Sequence, residues 1–306
     1  MLVGATLPQF SDDRERLLVA ARAAEEEGLD SLWLFDHLWP LSGGRARPIL
    51  ECWTTLAWLA AETSRIRLGT FVARSTLQRP ALLAKMAATV GAIAPGRFIF
   101  AVGSGDEASR RENEAFGLEY HEADERVGQL EATVRIVKAY LSSDEVSVDT
   151  PFARVEGLRP SPTPAPPPDL WLGGRSDDVL AIAGRYAAGW NAWQGSPARF
   201  AAAAQQLLSY SGGRALELSW GGIVVLAGSD SAAAELLGDK PATGRIVGGP
   251  ETVATALSRY IEAGARHLIV TPFGSTATPE FYRLLAEVRG LLGHNTPGGY
   301  TDGHEH

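Results

Sequence analysis

The chain has 306 residues, 45% hydrophobic and 21% charged, with a net charge of −8, a pI near 5.3 and one cysteine, Cys52. That is enough apolar material for a sizeable core in two domains or one large α/β barrel; the acidic balance argues against nucleic acid as the main partner, and a lone thiol rules out an intrachain disulfide framework. MLVGATLPQF has no basic region and meets Pro8 too early for a signal sequence, and no run of about eighteen apolar residues could cross a membrane, so a cytoplasmic protein is expected.

In chain order, one strand-then-helix unit repeats. Leu2 to Leu7 reads as a strand, and Asp12 with Glu15 can cap a helix whose Leu17, Ala20, Ala21 and Ala24 share a face, ended by Gly28. Ser31 to Phe35 is a second strand with Asp36-His37 at its exit, and Glu51 to Ala61 the next helix. Ile66, Leu68 and Phe71 to Ala73 form a third apolar run, Phe98 to Val102 a fourth, both without polar alternation, as strands buried on both faces are. Between them Pro80 opens a helix carrying Leu83, Met86, Ala87 and Val90, which Pro95-Gly96 stops. A long helix follows from about Glu122, with Val127, Leu130, Val134, Val137 and Leu141 on one face.

From Glu145 to Pro168 the rhythm breaks. Val146, Val148, Phe152 and Val155 alternate around Thr150-Pro151 as a hairpin does, and PSPTPAPPP from Pro160 reads either as an interdomain linker or as a surface crossing. The rhythm resumes beyond it: strand Asp169 to Leu172, helix Val179 to Tyr186, strand Gly189 to Trp193, helix Phe200 to Leu208, strand Ser219 to Ala227. An irregular stretch then runs to Gly249, followed by a helix from Pro250, strand His267 to Thr271, and a last helix from Pro279. Eight strands alternating with eight helices match a closed (β/α)8 TIM barrel rather than an open doubly wound sheet. The expectation is one α/β barrel over residues 1–292, with the hairpin and Pro-rich crossing at about 145–168 and a flexible tail over 293–306.

Parallel sheets keep their chemistry at the carboxyl edge of the strands, so the strand exits hold the candidate site. His37 can donate, accept or take up a proton near neutral pH, or it can satisfy a loop carbonyl. Gly103-Ser104-Gly105 is either a tight turn or a place where backbone N–H groups and the Ser104 hydroxyl meet a ligand. Gly173-Gly174-Arg175-Ser176 opens a helix and is the best phosphate candidate on physical grounds, because helix starts present unpaired N–H groups and a positive dipole end; a diglycine turn also ends strands that bind nothing. Trp190 and Trp193 either wall a pocket or pack in the core. Scattered histidines and a helical cysteine give little support to a metal site, and GSG lacks the frame of a hydrolase nucleophile elbow.

DHLWP at Asp36, ECWTTLAWLAAETSRIRLGTFV from Glu51, RPALLAKMAATV from Arg79, GRF then GSG, NEAFG at Asn113, ERV at Glu125, WLGG at Trp171 and GRYAAGWN at Gly184 together resemble the luciferase-like monooxygenase family, and within it the branch that uses the deazaflavin coenzyme F420. The resemblance covers roughly Leu2 to Leu292. It implies a (β/α)8 barrel holding a flavin or deazaflavin ring across the carboxyl edge, and a homodimer. It further implies that Asp36 and His37 lie at the cofactor, with His37 in the chemistry, and that a non-prolyl cis peptide at Phe71-Val72 backs the ring. Gly103, Ser104 and Gly105 would lie near the cofactor, and either Asp106 or Glu107 would be a proton donor. The expected function is F420-dependent hydride transfer to or from a small organic substrate; an FMN-dependent monooxygenase or a non-catalytic flavin-binding protein are the alternatives. A polyanionic cofactor tail sits uneasily with an acidic protein unless Arg45, Arg47, Arg74 and Arg79 cluster at the mouth. Substrate identity would be set by loops around Leu38 to Pro48 and Gly228 to Gly248.

Overall fold

Alternation of side chains between two buried faces builds the barrel. In the structure, a computed structural model describing residues 1–40, 47–274 and 276–294, the elements run β1 (Leu2–Thr6), α1 (Arg14–Glu26), β2 (Ser31–Leu34), α2 (Cys52–Glu62), β3 (Arg67–Thr70) continued by β4 (Ala73–Arg74), α3 (Pro80–Ile93) and β5 (Phe98–Gly103). Then come α4 (Arg110–Ala115), α5 (Ala123–Ser142), the antiparallel hairpin β6 (Val146–Asp149) and β7 (Arg154–Leu158), β8 (Asp169–Gly173), α6 (Asp177–Tyr186), β9 (Gly189–Trp193) and α7 (Pro197–Ser209). The chain ends with β10 (Glu217–Leu226), α8 (Asp230–Leu237), β11 (Arg245–Gly248), α9 (Pro250–Glu262), β12 (His267–Pro272) and α10 (Pro279–His294).

Parallel pairing runs β1, β2, β3 with β4, β5, β8, β9, β10, β12 and back to β1, where Leu2 stands opposite His267. This is a closed (β/α)8 barrel. One set of strand residues, including Val3, Leu32, Leu34, Phe100 and Leu172, faces outward onto helix residues such as Leu17, Ala20 and Ala24 of α1. The other set, Trp33, Ile99, Ala101, Trp171 and Ile269, fills the interior together with Phe71. Both faces are therefore apolar, and the strands read as continuous hydrophobic runs.

The amino-terminal end of the barrel is closed by a polar chain. The Ser31 hydroxyl lies 2.7 Å from His267 Nε2 and accepts from Trp33 Nε1 at 2.8 Å, while His267 Nδ1 is 2.8 Å from Glu217. Arg67 reaches Glu217 at 3.7 Å and Asp169 at 2.7 Å. Burial holds the His267 imidazole below its ordinary pKa against the opposing pull of Glu217. Serine, histidine and glutamate stand here in the order of a hydrolytic triad, but Ser31 and His267 are fully buried.

Two stretches differ from the sequence expectation, 228–248 and the end of α10. The segment 228–248 is not irregular: α8 forms in it, capped by Ser229, and β11 pairs with β10 from Ile223 to Leu226, outside the ring. An Ala-rich helix with one buried residue and a four-residue strand give too little periodicity to be read. The Pro-rich run crosses the outside of α3 and α5, with Tyr140 Oη donating to the Ser161 carbonyl at 2.9 Å, before β8 re-enters the sheet. Helix α10 continues to His294, two residues into the stretch expected as tail; 295–306 and Arg45 lie outside the described residues.

Candidate active site

The exits of β2, β3–β4, β5 and β8 meet at one rim. The Phe71-Val72 bond is cis. Beyond it the Val72 side chain lies between the two glycine turns: a Cβ on Gly103 would come within 2.9 Å of Val72 Cγ2, and one on Gly173 within 2.8 Å of Val72 Cγ1. Only glycine at both positions lets these backbones approach the wedge so closely. Phe71 turns inward, with its ring 5.6 Å from Phe35, 5.7 Å from Trp33 and 5.5 Å from Trp193. Of the two tryptophans on β9, Trp190 is fully buried with its ring tilted against Phe200 at 5.4 Å, whereas Trp193 stands at the aromatic wall.

His37 leaves β2 and meets a buried cluster that the sequence reading did not assemble. Its Nδ1 is 3.0 Å from Glu112 Oε2 on α4. Burial works to raise the Glu112 pKa, but the hydrogen bonds from His37 and the Leu38 N–H, with the charge of Arg74, hold it below its ordinary value. An ionised carboxylate can only accept, so Nδ1 carries the proton and Nε2 is the basic nitrogen. Arg74, 4% exposed, fixes the other Glu112 oxygen at 2.7 Å and donates to Asn113 Oδ1 at 2.9 Å and to the Asp36 carbonyl at 2.8 Å. The Asp36 carboxylate accepts from the Arg74 N–H at 2.8 Å. Burial pushes the Asp36 carboxyl up to about 6 against these contacts with Arg74. Arg74 was expected as part of a cationic mouth; its guanidinium is instead spent on this cluster, while Arg47 donates to the Phe10 carbonyl and Arg79 stands at the start of α3. Glu112 sits in the run RRENE, which reads as a solvated face, so composition hides it; Asn113, which opens NEAFG, was the available signal.

The acids after β5 are both occupied. Asp106 accepts from Ser109 N–H and Oγ at 3.1 and 3.0 Å, capping a short 3-10 turn. Glu107 is exposed and held ionised, first by Arg110 at 2.7 Å and then by the Tyr120 hydroxyl at 3.0 Å. Ser104 Oγ makes only a long contact, 3.4 Å, with the Gly105 carbonyl. At the start of α6, Gly174 has a φ of +132°, its carbonyl accepts from Trp190 Nε1 at 2.7 Å, and Ser176 makes no side-chain cap. Residues Gly174 to Ser176 are exposed, and Arg175 contacts the Gln194 carbonyl at 3.4 Å. Asp177 and Asp178 in the first turn partly offset the positive helix end. Among the described residues no group of three or more His, Cys, Asp or Glu side chains could hold a metal ion, and no helix is long and apolar enough to cross a membrane.

Comparison with known proteins adds three findings. The family description "luciferase-like monooxygenase" matches residues 3–243. The chain is 34% identical over 184 residues to a Kineococcus radiotolerans protein named F420-dependent glucose-6-phosphate dehydrogenase (59% of this chain, 52% of that protein). It is 30% identical over 190 residues to the F420-dependent hydroxymycolic acid dehydrogenase of Mycobacterium tuberculosis (61% and 51%). The chain thus spans about half the length of the curated relatives it matches. In three dimensions it resembles an F420-dependent secondary alcohol dehydrogenase in complex with an F420-acetone adduct, with a TM-score of 0.81 and 17% identity over 95% of this chain and 98% of that one.

Proposed function

The chain belongs to the luciferase-like monooxygenase family, and from that premise we propose that it is an F420-dependent oxidoreductase acting on a small organic substrate at the barrel rim. The observation carrying the reading is the convergence of His37, the Phe71-Val72 bond and the turns at Gly103 and Gly173 on one edge, with Val72 packed against both glycines. The names of its relatives support the cofactor assignment.

The residues present fit such a cofactor. Two close-approach glycine turns flank Val72, and α6 opens without a side-chain cap, so Gly174, Arg175, Ser176 and the first N–H groups of α6 would hold a phosphoryl group. Gly103, Ser104 and Gly105 would line the ring edge beside Phe71 and Val72. When bound, the deazaflavin supplies hydride exchange. The protein supplies proton handling and orientation: His37 Nε2 takes a proton from, or returns one to, a substrate oxygen, while Glu112 keeps Nδ1 protonated and the ring aimed. Asp36 is assigned a bracing role through Arg74 rather than direct contact with the ring. With Asp106 capping and Glu107 held anionic by Arg110, neither is the acid in this reading; His37 is.

The test is to add F420 and FMN separately to purified protein and follow ring fluorescence. F420 binding is expected; tight FMN binding with none for F420 would reverse the assignment in favour of a flavin monooxygenase. F420 binding without turnover of any alcohol, aldehyde, sugar phosphate or enone would leave a non-catalytic carrier. The working form in this reading is a cytoplasmic homodimer, and exposed Leu82 and Ile93 on α3 suit a subunit contact.

A further inference from the structure

We propose that the cavity between the amino-terminal end of α3 and the flank of α5 is a binding site for a small oxyanion of the phosphate class, separate from the start of α6. The cavity measures about 290 Å³ and is lined on one side by the loop from Ser75 to Pro80, on the other by Gln129 and Thr133 of α5. Ser75 is 3% exposed and Thr133 fully buried, and among the described residues neither hydroxyl has a hydrogen-bond partner. An orphaned buried hydroxyl costs about 1–3 kcal/mol, so two of them from different elements on one cavity call for a shared acceptor.

The surrounding groups specify its charge. Helix α3 begins at Pro80 with Arg79 as N-cap and no side-chain cap, leaving its first N–H groups and positive dipole end toward this loop. Arg79 brings a guanidinium and Thr76 a third hydroxyl, while the His121 ring lies 3.7 Å from Glu119 and 3.4 Å from Glu125. A few residues away on α5, Arg126 holds the His121 carbonyl at 2.7 Å while its buried Nε–H is also unpartnered. Hydroxyls, amide N–H groups and guanidinium N–H groups together demand an acceptor-rich anion. Among the described lining residues the one carboxylate is Glu119, which is exposed and can turn to solvent. The site adjoins the rim, since Ser75 N–H donates to the Gly103 carbonyl at 3.0 Å, yet it stands outside the barrel and needs no cofactor to be occupied.

The experiment is calorimetric titration of inorganic phosphate, with succinate as a second arm, into the full chain and three variants. Saturable binding of phosphate to the wild type is expected, weakened roughly tenfold or more in Thr133→Val and in Ser75→Ala, the loss of one hydrogen bond to a charged partner, and unchanged in Ser258→Ala on α9, a residue with no part in either site. Without phosphate, Thr133→Val should melt no lower than the wild type, because it removes an unpaired hydroxyl at constant volume; if it fails to fold, Ser75→Ala carries the test. Absence of phosphate binding, undiminished wild-type affinity in both hydroxyl variants, succinate bound in place of phosphate, or a crystal grown in phosphate with only a bridging water there would each overturn the proposal. None of these outcomes depends on whether F420 is the cofactor.

Discussion

His37 and Asp36 are adjacent in sequence and opposite in duty. His37→Ala should cut kcat by about 10²–10⁴, the usual worth of a general acid–base group, with cofactor affinity nearly unchanged; stopped-flow turnover and fluorescence titration measure the two separately. Glu112→Gln keeps an acceptor for Nδ1 but removes the charge facing Arg74. It should destabilise by on the order of 3 kcal/mol and lower kcat more than it raises KM. Asp36 gives a pH test. Its folded pKa is raised to about 6 by burial, so its contribution to stability is full below about 4 and is lost as the pH rises through 6. Urea unfolding should therefore show Asp36→Asn gaining on the wild type across that window, by up to roughly 3 kcal/mol. A histidine at a strand exit was legible in the sequence because position and chemistry coincide in one residue. Glu112 was not, because a charged run on a short helix looks solvated until a buried arginine from another strand is found facing it.

Among the elements, the turns were legible and their mechanics were not. Paired glycines at strand ends announce close approach, but the sequence does not say what approaches; here it is the side chain of Val72. Gly103→Ala should push that wedge away, weakening cofactor binding at least tenfold at a stability cost of about 1–3 kcal/mol, read by fluorescence titration and thermal melting. A bulky residue at Gly174 tests the phosphate less cleanly than its place in a loop suggests. A Cβ there would lie 2.9 Å from Val179 Cγ1, and the φ of +132° is itself strained for any side chain, so loss of the α6 start would accompany loss of binding. The stretch 228–248 escaped because α8 and β11 draw their order from contacts with β10 and α9, including the Asp230 carboxylate accepting from Gly249 N–H at 2.7 Å, rather than from any pattern of their own.

For the whole molecule, counting strand–helix alternations was enough to name the barrel, because a right-handed crossover repeated seven times between eight strands leaves few ways to bury every strand on both faces. The polar chain from Ser31 through His267 and Glu217 to Arg67 and Asp169 was invisible to that count. Its members come from β2, β12, β10, β3 and β8, so five of the eight staves are laced at the end remote from the rim. Such lacing makes the ring fail all at once rather than stave by stave. In amide exchange, an emptied rim such as His37→Ala should leave the slowest protons of these strands untouched, whereas His267→Ala should let the base amides of β2, β10 and β12 exchange strand by strand, ahead of the rest of the ring. A hoop fastened at its base leaves the upper edge free to be recut for new substrates without loosening the cask.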